Sequence, residues 1–186
     1  DGAPDEVLDY YNALIAKQAE YTIRQAEELG GKVAVRSGNR QAEIVTVDLF
    51  HQGQSARAIP QGEAALIRVI AAVHEKISDL TVGILIRDRL GNDIFGTNSW
   101  HHGQSLRSIQ GGSRVQAEFA IPSLNLGIGN YSLTVALHAN DTHVSNNFDW
   151  WDRALVFQVT PSELPRCIGS AYLTTAVTLA PSLTNP

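Results

Sequence analysis

Seven short segments of alternating apolar and polar residues constrain the fold of this chain more than any other feature. Successive side chains of a strand point to opposite faces of a sheet, so this alternation predicts strands with one buried face. The segments are residues 42–50, 64–74, 80–87, 93–99, 113–121, 130–140 and 154–160. Turn residues separate them, and no helix-sized segment lies between them to connect parallel strands. The pattern predicts an all-β fold, an immunoglobulin-like antiparallel β-sandwich.

The alternation also assigns one face of each predicted strand to the core. The predicted inward residues are Val45, Val47 and Leu49; Ile67, Val69, Ala71 and Val73; Val82, Ile84 and Ile86; Val115, Ala117, Phe119 and Ile121; Tyr131, Leu133, Val135 and Leu137; and Leu155, Phe157 and Val159. The outward residues are mostly small or polar and include Thr46, Asp48, Arg68, His74, Ser132, Thr134 and His138. An outer face of this composition suits an extended polar ligand.

The segments on either side of the predicted sandwich have a different character. Residues 4–29 contain no internal glycine or proline and are followed by two glycines, which predicts a helix. We therefore divide the chain into a connector helix and linker (residues 1–35), a β-sandwich domain (residues 36–161) and a C-terminal strand and tail (residues 162–186). Within the tail, residues 171–179 form an apolar alternating segment bracketed by prolines. A lone strand must pair with a sheet edge, and we expect this strand to be exchanged between the subunits of a homodimer.

Composition excludes some partners and compartments. The net charge of −5 and the scarcity of lysine leave no basic stripe that would bind a phosphate backbone, so nucleic acid is not an expected partner. Cys167 is the one cysteine and has no partner for an internal disulfide, which favours a reducing cytoplasm. No apolar segment reaches the roughly 18 to 20 residues that cross a bilayer, and the N-terminus lacks a signal-peptide pattern. Because the chain begins with Asp1 and leads directly into the predicted helix, we expect it to be part of a longer polypeptide.

No recognised catalytic motif is present in the sequence. A P-loop, a GxSxG nucleophile elbow, an HExxH zinc motif and a CxxC pair are all absent. The spacing of His138, Asp141 and His143 matches no metal-ligand pattern and favours a solvated strand end. Asp149 and Asp152 form a close acidic pair near aromatic residues, and turn or capping roles are favoured for them over acid/base catalysis. We expect no catalytic residue, no metal and no cofactor.

Two segments combine flat aromatic rings with planar polar groups, the mixture that sugar-binding sites use. They are NSWHHGQS (residues 98–105) and NFDWWDR (residues 147–153). In an extended strand Trp150 and Trp151 point to opposite faces, so one ring is expected over the end of the sandwich and the other on its rim. Trp100 is either a platform for a sugar or a plug over the sandwich end. The neighbouring histidines, His101 and His102, either contact a ligand or are simply solvated.

The order of these motifs resembles a known family. IRVIAAVHEKISDLTVGILIRDRLGNDIFGTNS, then SRVQAEFAIPSLNLGIGNYSLTVAL, then DWWDRALVFQV, resemble the C-terminal domain of the ATP-binding subunit (Wzt) of bacterial O-antigen polysaccharide exporters. The likeness covers residues 36–160, and the preceding segment resembles the connector that follows the nucleotide-binding domain. RDRLGNDIFGTNS, with Gly91, Phe95, Gly96 and Asn98, is its most characteristic part.

This resemblance implies a non-catalytic, dimeric, cytoplasmic domain that recognises the non-reducing end of a lipid-linked O-antigen polysaccharide. The implied polymer is a polymannose with a modified end. The implied partners are the ATP-binding domain, which is absent from this chain, and the membrane subunit that holds the complex at the inner membrane. Because the family shares the acid and aromatic pattern at Asp149 to Asp152 whatever the polymer, a structural role is favoured there.

Contacts to the polysaccharide are therefore expected on an outer sheet face or its rim, from Arg68, His74, Trp100, His101 and His138. Two other classes of function remain open. A dimerisation or protein-interaction module without a glycan ligand would also use the terminal helix and strand. A glycan-modifying enzyme would need two carboxylates within reach of one cleft, which the sequence does not suggest.

Overall fold

The structure is a computed structural model that describes residues 22–27, 33–140 and 147–179, with side chains from residue 36 onward. Within these residues the chain forms twelve strands and no helix. The strands are β1 (Thr22–Glu27), β2 (Val33–Gly38), β3 (Ala42–His51), β4 (Gln54–Ser55), β5 (Ala58–Pro60), β6 (Ala65–Val73), β7 (Ile77–Asp88), β8 (Asp93–Asn98), β9 (Leu106–Ile109), β10 (Arg114–Ile121), β11 (Gly129–His138) and β12 (Asn147–Thr160).

Hydrogen bonding arranges these strands in two sheets. The larger sheet has the order β1-β2-β12-β11-β7-β8, with β5 paired to β12 and β9 paired to β7. The smaller sheet has the order β10-β6-β3-β4. The described pairs are antiparallel, apart from the short parallel pairing of β5 with β12. The predicted antiparallel all-β class is confirmed, while the immunoglobulin-like type of sandwich stays a prediction.

One hydrophobic core receives residues from both sheets. Alternate residues of β6, from Ala65 to Val73, are buried, and Leu133, Val135 and Leu137 of β11 are fully enclosed. Burying each large aliphatic side chain contributes about 1.5 to 3 kcal/mol, so this shared core is what favours the association of the sheets. The predicted inward residues of β10 are only partly buried against it, which leaves the core thinner along that edge.

A bulge in β3 changes which residues of that strand face the core. The sequence predicts an inward Val45, and this is wrong: Val45 is 40% exposed, whereas Ile44 is buried. The register with β6 shifts between Ile44 and Thr46, so one extra residue is accommodated there and the alternation is interrupted. Val47 and Leu49 then return to the core as predicted.

Near the N-terminus the structure has strands where the sequence predicts other elements. Residues 22–27, near the end of the predicted helix, form β1, and β2 crosses the boundary that we predicted at residue 35 between the linker and the sandwich domain. The two strands pair over six residues, from Thr22 with Gly38 to Glu27 with Val33. Residues 22–27 include the good helix formers Arg24, Gln25 and Ala26, so cross-strand pairing here overrides local propensity. Residues 4–21 of the predicted helix lie outside the described residues.

Beyond β12 the described tail makes little regular pairing. Leu126 and Ala171 form an isolated bridge, and Tyr172 is buried. Among the described residues the predicted strand at residues 171–179 pairs with no sheet edge beyond the bridge at Ala171. Its Leu173, Val177 and Leu179 are 74%, 81% and 93% exposed. Its exchange between subunits stays a prediction.

No helix among the described residues is both long and apolar enough to cross a membrane.

Candidate functional site

The two acids of the NFDWWDR segment lie inside β12, so the predicted turn roles of Asp149 and Asp152 are wrong. Asp149 faces the core side of the larger sheet, opposite Leu137 of β11. Asp152 faces the outer side, where it meets Thr134. Both carboxylates are buried, and each is satisfied by an arginine and a further donor. The placement of the two aspartates on opposite faces was not predicted, because β12 begins at Asn147, seven residues before the predicted start.

Asp149 ties the two sheets together at the β3 bulge. Its Oδ1 and Oδ2 accept hydrogen bonds from Nε and Nη2 of Arg36 at 3.0 and 2.6 Å. The Ile44 amide donates to Asp149 Oδ2 at 2.7 Å, and the Ile44 carbonyl accepts from Arg36 Nη2 at 2.6 Å. A buried, bidentate ion pair that also satisfies both backbone groups of a bulged residue is a structural clamp. The Asp149 carboxylate is therefore engaged in contacts within the chain and serves the fold.

The two tryptophans point to opposite faces, as the sequence predicts. Trp151 pairs with the fully buried Val135, packs against the core and lies under the Arg36 guanidinium at 4.6 Å. Trp150 pairs with Ala136 and is half-buried on the outer face of the larger sheet. The pair is thus divided between a core role for Trp151 and an outer-face position for Trp150.

Asp152 organises a second network, on the outer face of the larger sheet. Its Oδ1 accepts hydrogen bonds from Arg87 Nη1 at 2.8 Å and from Thr134 Oγ1 at 2.6 Å. Thr134 Oγ1 in turn accepts from the Arg153 amide at 3.3 Å. Arg87 is also held by Asp93, whose Oδ1 lies 2.7 Å from Arg87 Nε. The network links β7, β8, β11 and β12 and fixes one carboxylate and one guanidinium side by side.

This network lies at an irregularity of β12. The register with β11 passes from Leu133 opposite Leu155 to Val135 opposite Trp151, so Thr134 lies opposite the whole stretch from Asp152 to Ala154. Arg153 has a φ of +51°, in the left-handed region that non-glycine residues rarely adopt. Bulges and such backbone angles are over-represented next to functional sites, where they change the direction of a side chain.

A polar pocket of about 240 Å³ opens beside this bulge on the outer face. Its lining includes Arg87, Arg89, Asn130, Ser132, Asp152, Arg153 and Val156. At one end it reaches the turn between β7 and β8, where Asn92 donates hydrogen bonds to Asp88. The side-chain hydrogen bond from Asn92 is the main cause that holds the pKa of Asp88 below its ordinary value of 3.8. Of these residues the sequence predicts only Ser132 on an outer face suited to a polar ligand, and Ser132 is buried.

The structure places three of the five predicted contact residues around the end of β8. The Asn98 side chain accepts a hydrogen bond from the His101 amide at 2.8 Å, and Trp100 and His101 lie exposed in that turn. A methyl group added at Gly83 would lie 3.6 Å from Asn98 Cβ and 3.7 Å from His138 Nε2. His138 is therefore next to this turn, but it is only 3% exposed. Access to a ligand is thus open at Trp100 and His101 and restricted at His138.

The other two predicted residues, Arg68 and His74, lie on the smaller sheet. Arg68 stands on its outer face, with the guanidinium 4.7 Å above the Phe50 ring and Nε 2.8 Å from Glu118. His74 follows β6, is exposed, and has Nε2 3.3 Å from Glu43. The five residues therefore do not converge on one surface of the chain.

A larger, apolar groove of about 480 Å³ lies between the sheets where β8 and β10 form their free edges. Core residues such as Val82 and Ile84 form its floor, and Phe95, Leu106 and Phe119 lie along it. Phe95 and Leu106 are 46% and 50% exposed, which is uncommon for large apolar side chains that face a core. This groove and the outer-face pocket are separate features.

Among the described residues, no group of three or more His, Cys, Asp or Glu side chains is placed to hold a metal ion. Asp141 and His143, two of the three residues considered from the sequence, lie outside those residues.

Comparison with known proteins agrees with the fold. The solved crystal structure of the C-terminal domain of Wzt matches with a TM-score of 0.71 at 19% sequence identity, over 84% of this chain and 93% of that chain. The soluble domain of PmoD from Methylocystis sp. matches at a TM-score of 0.31 and 14% identity, over 66% of this chain and 94% of that one, a likeness too low to carry an argument. No curated protein sequence matches the chain.

The family model described as the Wzt C-terminal domain matches residues 33–173. This range runs from the first residue of β2 to the tail just beyond the Leu126–Ala171 bridge, so it includes both buried networks and both sheets apart from β1. Because the match covers well over half of the sequence and agrees with the fold, the chain belongs to the Wzt C-terminal domain family.

Proposed function

We propose that this chain is the non-catalytic domain by which an O-antigen polysaccharide exporter recognises its polymer. The bound element is the non-reducing end of a lipid-linked polysaccharide, and the expected polymer is a polymannose with a modified end. The observation that carries the proposal is the family match over residues 33–173. The domain acts in the cytoplasm as part of the ATP-binding subunit and reaches the inner membrane through the membrane subunit of the exporter.

The composition of the outer face supports a polar, hydroxyl-rich ligand. Asp152 and Thr134 on the larger sheet and Asn98 at the β8 turn are buried and hold neighbouring groups in place. On the smaller sheet Arg68 and Glu118 are accessible and are oriented by their mutual hydrogen bond. Groups held in place before binding lose less conformational entropy when a ligand arrives. Each sugar hydroxyl exchanges water for protein and yields a small net gain, so modest affinity is expected.

Arg68, His74, Trp100, His101 and His138 remain our proposed contacts from the sequence. Since they lie on two sheets, we expect them to divide between a contact region at the β8 turn and another on the smaller sheet. Arg68→Ala and His138→Ala are expected to weaken binding while the chain stays folded. Because His138 is buried, circular dichroism and a melting curve must accompany that variant. Unchanged binding by both folded variants would remove these two residues from the site.

A homodimer completes the proposal. The exposed residues of the tail and the groove between β8 and β10 are both apolar. If the tail of a second subunit added as a strand at the free edge of β10, it would cover the groove and bury its own apolar residues. Two sites in one dimer would raise the effective affinity for polymer chains presented together.

The direct experiment is a calorimetric titration of the folded protein with the O-polysaccharide purified from the bacterium that encodes it. Saturable binding supports the proposal. A folded dimer that shows no binding would instead favour a dimerisation module without a glycan ligand. Shortening of the polymer during the titration, followed by gel electrophoresis, would indicate a glycan-modifying enzyme.

A further inference from the structure

We infer that the pocket beside the β12 bulge, between Arg87, Asp152 and Arg153, holds the terminal sugar ring of the bound polymer. This inference rests on the proposed function and names the part of the molecule that carries it out. None of the pocket residues is among the five contacts expected from the sequence, so the two assignments can be tested separately.

The size of the pocket matches one ring. Its volume of about 240 Å³ lies below the roughly 300 to 1,000 Å³ of pockets that enclose drug-sized ligands. We therefore place a single ring in the pocket, and the proposed function makes that ring the terminal one.

The polar groups of the pocket suit adjacent hydroxyls of a neutral sugar. Asp152 is only 5% exposed, and its Oδ1 is already used by Arg87 and Thr134, so its role is to hold the pocket in shape. The guanidinium group of Arg89 and the amide of Asn130 are the exposed polar groups of the lining. One hydroxyl can then donate to the Asn130 amide oxygen while its neighbour accepts from the Arg89 guanidinium.

The pocket also provides an apolar wall. Val156 lies two residues from the irregular stretch of β12, is 43% exposed and lines the pocket. Sugar rings have apolar C–H faces that pack on such side chains, and burying that area adds to affinity without any polar exchange. A wall, an acceptor and several donors in one small cavity make a more specific site than the flat face around Arg68.

The arrangement is fixed before any ligand binds. Thr134 donates to Asp152 and accepts from the Arg153 amide, so the side chain of one lining residue and the backbone of the next are held by the same hydroxyl. The left-handed φ of Arg153 turns its side chain out of the regular alternation, and Arg153 lines the pocket. Thr134 is thus a positioning residue for the site.

The test fills the pocket without removing an internal hydrogen bond. In Val156→Trp a large ring occupies the space of the sugar, and we expect calorimetric affinity for the purified O-polysaccharide to fall at least tenfold. Ser78→Trp is the matched control: it is exposed on β7, nine residues from Arg87 and hence about 30 Å away, and it should bind like the parent. Asn130→Ala changes an exposed residue of the lining and should weaken binding about fivefold. This second variant keeps the test possible if Val156→Trp fails to fold.

The outcomes separate the two proposals. Binding by the parent and by Ser78→Trp together with loss in the pocket variants supports the inference. Parent-like binding by the folded pocket variants overturns the pocket assignment and leaves the proposed function intact. Absence of binding by the parent overturns both. As a further arm, methyl α-D-mannopyranoside at millimolar concentration should compete with the polymer for the parent if a terminal mannose occupies the pocket; failure to compete would exclude that sugar as the occupant.

Discussion

Two aspartates three residues apart have different roles because a strand separates its faces. Asp149 is enclosed between the sheets and satisfied by Arg36 and Ile44, whereas Asp152 lies on the outer face with Arg87 and Thr134. Their spacing in an uninterrupted strand already places them on opposite faces. Their burial and their arginine partners depend on residues up to 113 positions away, which no local pattern in the sequence reveals.

Asp149→Ala should destabilise the fold strongly. The variant leaves the Arg36 guanidinium with only the more distant Glu43 carboxylate, 3.5 Å away, and removes the acceptor of the buried Ile44 amide. We expect the free energy of unfolding, measured with urea, to fall by about 3 kcal/mol. Glu63→Gln is the control, since Glu63 is exposed, and it should change stability by less than about 0.5 kcal/mol. A loss for Asp149→Ala as small as that of the control would contradict the clamp.

Asp88 should contribute to acid stability. Hydrogen bonds from Asn92 and from the turn backbone hold its pKa below the ordinary 3.8, so the folded state favours the carboxylate. That stabilisation is present above the ordinary pKa and is lost as the pH falls through the lower pKa of the folded state. Between about pH 5 and about pH 2, Asp88→Asn should therefore lose less of its unfolding free energy than the parent does. If the parent and Asp88→Asn lose the same unfolding free energy over this pH range, Asp88 does not contribute to acid stability.

At the scale of elements, the sequence predicts the seven main strands well and the irregular ones poorly. Alternation identified β6, β7 and β11 to within a few residues because their inner faces are continuous. It also gives the bounds of β3 to within one residue, but it assigns Val45 to the core because the bulge interrupts the alternation. For β12 it places the start seven residues too late, because acids and tryptophans obscure the pattern. β1 and β2 were missed since their pairing with other strands, and not local propensity, determines them.

The candidate pocket was missed for the same reason. Its main residues, Arg87, Asp152 and Arg153, meet only because the β12 irregularity lies opposite Thr134. The alternation of residues predicts recognition on an outer face and places Thr134 on that face. It does not reveal that the extra residues of β12 form a pocket there.

Thr134→Val should disturb the irregular part of β12 while conserving side-chain volume. The variant removes the donor to Asp152 and the acceptor for the Arg153 amide, so buried polar groups lose their partner. We expect the unfolding free energy to fall by about 1 to 3 kcal/mol and, in the folded protein, O-polysaccharide binding to weaken. Thr134→Ser keeps the hydroxyl and should restore binding to nearly the parent level. If the serine variant binds no better than the valine variant, the hydroxyl does not position the site.

At the scale of the whole molecule, two apolar surfaces are left uncovered by the residues that the structure describes. One is the groove between β8 and β10, and the other is the tail with Leu173, Val177 and Leu179. Exposed apolar surface of this extent generally marks an interface. The tail leaves the bridge between Ala171 and Leu126, and Leu126 follows the end of β10 by five residues.

If the tail of one subunit covers the groove of another, charge placed on its apolar side should dissociate the dimer. Leu173, Val177 and Leu179 occupy alternate positions and would share one face of a strand, whereas Thr174 and Thr178 would share the other. In sedimentation equilibrium we expect a dimer for the parent and a monomer for Leu173→Asp combined with Val177→Asp. Thr174→Asp combined with Thr178→Asp adds the same charge to the same segment and should stay dimeric. A truncation after Pro165 should give the same monomer, because it removes the whole strand. A dimer that persists in both the apolar-side double variant and the truncation would show that the subunits associate through another surface.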